Sequence, residues 1–216
     1  MTLVVSGGLP PDPSVVARLP NATRVIAADH GYDHALALGI RVDVLVGDLD
    51  SVDPLAASSA PSAGVDVRRY PRDKAATDLE LALDLATEHD GIRVIVISGA
   101  GTDRLDHLAA QFGLLAAPKY ARCSVEAWIG GAHLVAVHAG KPAVVNGRRG
   151  DIVTLLPVAG PADGITTDGL RFALRDETLN PFNTRGVSNE FLGTEASVTL
   201  GRGTLLIILP DALGGA

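Results

Sequence analysis

The chain has 216 residues, 47% of them hydrophobic and 20% charged, with a formal net charge of −7. Such a length suits one large domain or two small ones, and such a composition belongs to folded chains and not to disordered ones. With no basic run longer than two residues, the chain offers no basic stripe to nucleic acid, and chemistry on phosphates would depend on a bound cation.

Cys123 is the only cysteine, which excludes an intramolecular disulfide framework and a cysteine-based zinc site. Aromatic residues make up 4%, so the core must be built from Val, Leu, Ile and Ala. The first residues carry no basic stretch ahead of an apolar run, and no apolar segment reaches the ~18 residues of a membrane span. The expected compartment is the cytoplasm, with no membrane and no nucleic-acid partner.

From the N-terminus, strand 3–6 leads to helix 12–18 after the Pro10-Pro11-Asp12-Pro13 loop, then strand 24–28 and helix 31–38. Strand 42–46, helix 53–58, strand 65–69, helix 78–89, strand 93–97 and helix 104–116 follow. The strands are continuous Val/Ile-rich runs, as in a parallel sheet covered on both faces, and the βα alternation implies a doubly wound sheet. From about residue 120 the pattern changes. Runs at 124–128, 133–138, 152–156 and 205–209 are separated by Gly130-Gly131, Asn146-Gly147, Asp163-Gly164 and Asp168-Gly169, the spacing of an all-β sandwich. The expected organisation is an α/β domain with a mostly parallel sheet over 1–118 and an all-β sandwich over 119–216.

Ligands of open parallel sheets bind beyond the carboxyl ends of the strands. Four acidic stretches fall there: Asp29 after strand 24–28, Asp48-Leu49-Asp50-Ser51 after strand 42–46, Asp73 to Asp78 before helix 78–89, and Asp103 to His107 after strand 93–97. Carboxylates are hard ligands for Mg²⁺, and a metal so held neutralises charge in phosphoryl transfer. In an extended turn Asp48 and Asp50 can face one ion. Lys74 and Arg104 are candidates to bind phosphate oxygens, and the Gly99–Gly101 stretch offers backbone N–H groups to an anion. No Walker P-loop is present.

Several of these residues have plain structural readings. Thr77 with Glu80 makes a capping box for helix 78–89, and Asp78 suits its first turn. Asp53-Pro54 reads as a helix start, and Asp103 as the cap of helix 104–116. Asp29 and His34 can be a helix start and a face residue. His89, His133 and His138 read as ordinary surface or strand residues, and Ser188-Asn189-Glu190 as a polar turn.

Taken in order, ADHGYDH (28–34), VGDLDS (46–51), DKAATDLELAL (73–83) and GAGTDRLDH (99–107) resemble the catalytic domain of thiamine pyrophosphokinase. Leu155-Leu156-Pro157, Gly164 to Leu170 and Ser188-Asn189-Glu190 are similar to that family's β-sandwich domain, so the resemblance spans nearly the whole chain. It implies a thiamine diphosphokinase that moves the pyrophosphoryl group of ATP to the thiamine hydroxyl and leaves AMP. It also implies Asp48, Asp50 and Asp78 as Mg²⁺ ligands, and Asp48, Asp50, Asp78, Arg104 and Asp106 as the catalytic set. The ATP site would comprise Asp29, Ser51, Lys74, Thr77, Gly99, Gly101, Arg104 and His107. Thiamine would meet Asp78 in the catalytic domain and Ser188, Asn189 and Glu190 in the β domain of a partner subunit, making the enzyme a homodimer. Phe191 and Trp128 are the aromatic candidates to stack on thiamine.

The sequence departs from the family pattern at His30, where a glycine is usual, at Ala75 and Ala76, and at Thr102 and Asp103. Three alternatives stand beside the main reading: a pyrophosphokinase with another hydroxymethyl-heterocycle acceptor, a metal-dependent phosphoesterase, and a non-catalytic nucleotide- or thiamine-binding protein.

Overall fold

The computed structural model describes residues 1–100 and 104–214. By contact, the chain divides into two compact units: Met1–Asp103 with Arg122–Gly130, and Arg104–Ala121 with Gly131–Ala216.

The first unit carries β1 (Thr2–Val5), β2 (Arg24–Ala28), α1 (Gly31–Ala37), β3 (Val44–Gly47), α2 (Pro54–Ser59), β4 (Asp66–Arg69), α3 (Asp78–Ala86) and β5 (Arg93–Ser98). Its sheet is parallel, in the order β5-β1-β2-β3-β4, with α1 and α3 packed on β1 and β2. Both faces of the inner strands are covered. Val4, Ile26, Leu45 and Val96 are wholly buried, each stabilising the fold by roughly 1.5–3 kcal/mol relative to exposure, which is why these strands read as continuous apolar runs. At the edge, β4 is exposed and charged, its Arg68 paired with Asp66 at 2.8 Å, a composition that discourages further strand addition.

Segment 12–18 is a 3-10 turn over Pro13–Arg18, capped by the Asp12 side chain. Asp53 caps α2 through the N–H groups of Leu55 and Ala56. The last helix of this unit, α3, stops at Ala86 and not at 89. Thr87 follows, and its hydroxyl donates to the Leu83 carbonyl at 2.7 Å.

In the second unit, α4 (Leu105–Leu115) precedes a 3-10 turn at Pro118–Tyr120. The next strand, β6 (Ser124–Ile129), pairs in parallel with β5 and so belongs to the first unit, although its place in the chain suggests the β half. The division therefore interleaves around residues 104–130 and does not fall as a single cut after 118. An apolar run of six residues looks alike in a parallel and an antiparallel sheet, and periodicity cannot separate them.

The remaining strands are β7 (Ala132–His138), β8 (Ala143–Asn146), β9 (Ile152–Pro157), β10 (Ala162–Asp168), β11 (Glu177–Leu179), β12 (Asn189–Glu190), β13 (Glu195–Thr199) and β14 (Thr204–Leu209). They form two antiparallel arrays, β7-β14-β9-β12 and β8-β13-β10-β11. Between the arrays lies one core that includes Val137, Val153, Leu155, Ile165, Phe191, Val198, Leu205 and Ile207. The expected α/β domain and antiparallel β region are thus both present. Among the described residues, no helix is long and apolar enough to cross a membrane.

Candidate active site

Two strand ends and one helix start bring three carboxylates together in the first unit. Asp29 follows β2 and is anchored by its N–H on the Val46 carbonyl at 2.8 Å, while Asp48 follows β3. Asp78 opens α3, where the Thr77 hydroxyl accepts the Glu80 N–H at 3.2 Å. One oxygen from each of Asp29, Asp48 and Asp78 lies within 4.8 Å of the others.

Lys74 is the counter-charge. Its ammonium is 3.2 Å from Asp48 Oδ2 and 3.0 Å from Asp78 Oδ1, with only 11% of the side chain exposed. Burial works against the ammonium, but its bonds to Asp78 and Asp48 outweigh that and raise its pKa. Burial likewise pushes the Asp29 carboxyl up, with the charges of Asp78 and Asp48 adding to the rise against the pull of the His30 N–H. By contrast Asp48 is held below its ordinary value, first by the Asp50 N–H and then by Lys74. Among the described residues, Asp29 Oδ1 is buried without a hydrogen-bond donor, and Asp78 Oδ1 meets only the Lys74 ammonium. Three carboxylates facing one ammonium leave an excess of negative charge, and the buried Asp29 Oδ1 lacks a donor among the described residues. A hard divalent cation with oxygen ligands fits this donor set.

The carboxylates that converge are Asp29, Asp48 and Asp78, whereas the Asp50 carboxylate, expected beside Asp48 and Asp78, is engaged with Ser51 and Arg72. Leu49, 8% exposed, adopts a left-handed backbone with φ of 64° and turns the chain between the two aspartates. Asp48 Oδ1 accepts the Asp50 N–H at 3.2 Å, while the Asp50 carboxylate is turned to the Ser51 hydroxyl at 3.0 Å and to Arg72 at 3.5 Å. An extended turn, in which both carboxylates face one ion, is not what forms.

Gly47 shows how tightly the triad is packed. Its φ is 149°, and a β-carbon there would lie 3.1 Å from Asp78 Oδ1 and 3.2 Å from Asp29 Cβ. Gly47→Ala is expected to lower turnover about tenfold or more while the protein stays folded, since displacements near 1 Å can cost up to ~10²-fold. Steady-state kinetics beside a melting curve check this.

Gly99 does not offer an N–H to an anion. It donates to the Leu9 carbonyl at 3.1 Å, and a β-carbon would collide with the carbonyls of Leu9 and Pro10, so close approach accounts for the glycine. Gly101, with Thr102 and Asp103, lies outside the described residues. In the second unit, Arg104 grips Asp106 through two hydrogen bonds of 3.0 and 2.8 Å, and the guanidinium holds the Asp106 carboxyl far below its usual range. Both are well exposed, as is His107.

Ser188 is exposed and left-handed, with φ of 57°, and donates its N–H to Thr154 Oγ1. The buried Asn189 side chain closes on the backbone around it. Its Oδ1 accepts from the N–H groups of Phe172 and Glu190, and Nδ2 donates to the Phe172 carbonyl, each at 2.9 Å. These bonds occupy the groups expected to reach thiamine. Glu190 pairs with Arg171 at 2.8 Å. Phe191 and Trp128, 1% and 9% exposed, are core residues and offer no ring face for stacking; Phe172, which carries no sequence signal, is 47% exposed.

The chain is similar to known proteins over most of its length. The family model described as thiamin pyrophosphokinase, catalytic domain, matches residues 17–127, and the thiamin pyrophosphokinase vitamin B1 binding domain matches 143–205. A thiamine pyrophosphokinase of Bacillus subtilis (strain 168) is 24% identical over 198 residues, covering 91% of each chain. The solved structure of thiamine pyrophosphokinase from Bacillus subtilis superposes with a TM-score of 0.81 at 22% identity, covering 96% of this chain and 97% of that one. The thiamin pyrophosphokinase of Geobacillus thermodenitrificans gives 0.78 at 26% identity, covering 96% of each chain. That of Candida albicans gives 0.77 at 14%, covering 96% and 88%.

Proposed function

The chain belongs to the thiamin pyrophosphokinase family, and from that premise we propose that it transfers the β,γ-pyrophosphoryl unit of ATP, in one piece, to the hydroxyl of thiamine. It is an enzyme, a thiamine diphosphokinase. In the proposed reaction the thiamine oxygen bonds to the β-phosphorus, the bond from that phosphorus to the oxygen bridging to the α-phosphorus breaks, and AMP leaves. The hydroxyl proton passes to a carboxylate of the acidic cluster.

The observation that carries this reading is the convergence of Asp29, Asp48 and Asp78 beside Lys74. These three aspartates would hold Mg²⁺, which when bound offsets the charge of the phosphate oxygens. Lys74 adds a fixed positive charge to the same place, its ammonium held between two carboxylates. In the proposal Asp50 and Ser51, at the rim of the triad, serve the phosphates and the water around the ion. Thr77 keeps α3 starting where Asp78 is needed. Arg104 is assigned to phosphate, with Asp106 orienting its guanidinium and His107 beside it.

Thiamine recognition is assigned to the β region, where the vitamin B1 binding domain matches residues 143–205, and Ser188 and Glu190 are its polar candidates. A homodimer in the cytoplasm, with the β region of one subunit serving the partner's catalytic region, completes the proposal.

The test is an incubation of purified protein with ATP, Mg²⁺ and thiamine, with products separated by chromatography. Equal AMP and thiamine diphosphate, both abolished by a chelator, are expected. Phosphate released without an acceptor would indicate a phosphoesterase, and transfer only to another hydroxymethyl heterocycle a different acceptor. Binding of both ligands without AMP would indicate a non-catalytic protein.

A further inference from the structure

We propose that His30 is a positioning residue that latches the loop carrying Asp48 onto the turn carrying Asp29, and so sets the cation affinity of the triad. This rests on the reading of Asp29, Asp48 and Asp78 as the cation site.

The latch begins with two backbone turns of unusual conformation. Asp29 has φ of 47° and Leu49 has φ of 64°. Left-handed backbone is strained for a residue with a β-carbon, and it persists only where surrounding contacts over-determine it. At Asp29 the turn directs a triad carboxylate, and at Leu49 it follows one. Something must hold each turn, and must also hold them against each other.

His30 and Asp33 do both. His30 stands at the N-terminus of α1, but its side chain makes no capping bond. Instead Nδ1 lies 2.9 Å from the Ser51 carbonyl and 2.8 Å from Asp33 Oδ2. Both neighbours are acceptors, so Nδ1 carries the proton whether the ring is neutral or charged. The same Asp33 oxygen accepts the Asp53 N–H at 3.1 Å. Two points of the 48–53 loop, the Ser51 carbonyl and the Asp53 N–H, are thereby tied to the first turn of α1, one residue past Asp29.

The ring itself is fixed from its other side. It packs edge-on against His34, centroids 4.5 Å apart, and the buried His34 holds the Gly8 carbonyl through Nε2 at 2.9 Å. The His30 bond therefore starts from a ring braced by His34 and ends three residues past Asp48. A histidine at position 30 supplies a cross-link that a glycine cannot make.

A side chain serving only the stability of α1 would leave cation affinity unchanged once the protein is folded. A latch predicts a loss of affinity that a donor at the right place repairs. Asparagine carries an amide N–H at the position of Nδ1, whereas alanine carries none.

The experiment is a titration of the purified protein with Mn²⁺, without ATP, in which free Mn²⁺ is read by electron paramagnetic resonance. His30→Ala is expected to bind Mn²⁺ about five- to tenfold more weakly than the wild type, the loss of roughly one hydrogen bond, and His30→Asn to return within about twofold. Should His30→Ala fail to fold, His30→Gln replaces it, since its amide is carried one atom too far out. Equal affinity of His30→Ala and wild type, or an Asn variant as weak as the Ala variant, overturns the latch while leaving the cation site standing. Absence of Mn²⁺ binding by the wild type overturns both.

Discussion

Asp48→Asn and Asp78→Asn each lower turnover by about 10²-fold or more, the loss seen when one charge-stabilising group is removed from a reaction centre. The substitutions are nearly isosteric. An asparagine at 48 still accepts the Asp50 N–H from its oxygen, and the cap of α3 depends on Thr77 and not on Asp78. The fold is therefore retained while the site loses one of its three negative charges. Saturation with Mg²⁺ recovers part of the loss, because the weakened ligand set is refilled by mass action. Turnover measured across Mg²⁺ concentrations, beside a thermal melt, checks the expectation. Near-normal turnover in both variants would remove the triad from the chemistry.

Lys74→Ala has the second large effect, and its size depends on the cation. Asp48 and Asp78 are mostly buried, with 15% and 25% of their side chains exposed, and Lys74 is their shared counter-charge. Without it, three converging carboxylates repel one another with no compensation. A destabilisation of about 2 kcal/mol is expected, which for a chain of this size lowers the melting temperature by roughly 4–8 °C. Mg²⁺ then restores a larger part of the stability in the variant than it adds to the wild type, because it supplies the missing positive charge. Differential scanning fluorimetry with and without Mg²⁺ reads this directly. A variant whose melting temperature falls and ignores Mg²⁺ would show that Lys74 is a packing residue and not a counter-charge at a cation site.

Much of this architecture is legible in the sequence. The strands of the parallel sheet announce themselves because both faces are covered, leaving runs such as Arg24–Ala28 with few polar interruptions. Helix starts are readable where a side chain caps them, at Asp53 and Thr77. The turns of the β region mark it as a whole, but they do not locate β8, β10, β11, β12 and β13 individually. Those strands are half-buried and, apart from the seven-residue β10, short, and residues such as Thr166, Glu177 and Ser197 break any apolar run. The β6 run reads as a strand but not as a neighbour of β5, because direction in a sheet leaves no mark on six residues.

The site is legible in its residue types and less so in its geometry. Asp48, Asp78 and Lys74 converge as their positions after a strand and before a helix suggest. The family resemblance gives Asp29 to the nucleotide and Asp50 to the metal; here Asp29, at the end of β2, lies beside Asp48 and Asp78, while beyond the left-handed Leu49 the Asp50 carboxylate meets Ser51 and Arg72. Nothing in a leucine between two aspartates signals a left-handed turn. Asn189 departs from expectation for a related reason. A polar residue in a turn is open to solvent or closed on the backbone depending on what folds over it, here the Phe172 backbone. The His30–Asp33–Ser51 connection joins residues 21 positions apart and has no sequence signature at all.

The most direct measurement traces the β-phosphorus. Purified protein is incubated with ATP labelled at the β position, Mg²⁺ and thiamine, and the label is followed into products. Label in thiamine diphosphate, with AMP unlabelled, is the predicted result, since the bond broken lies between the α- and β-phosphoryl groups. Label remaining in ADP, or appearing in phosphate or pyrophosphate without thiamine diphosphate, would contradict it.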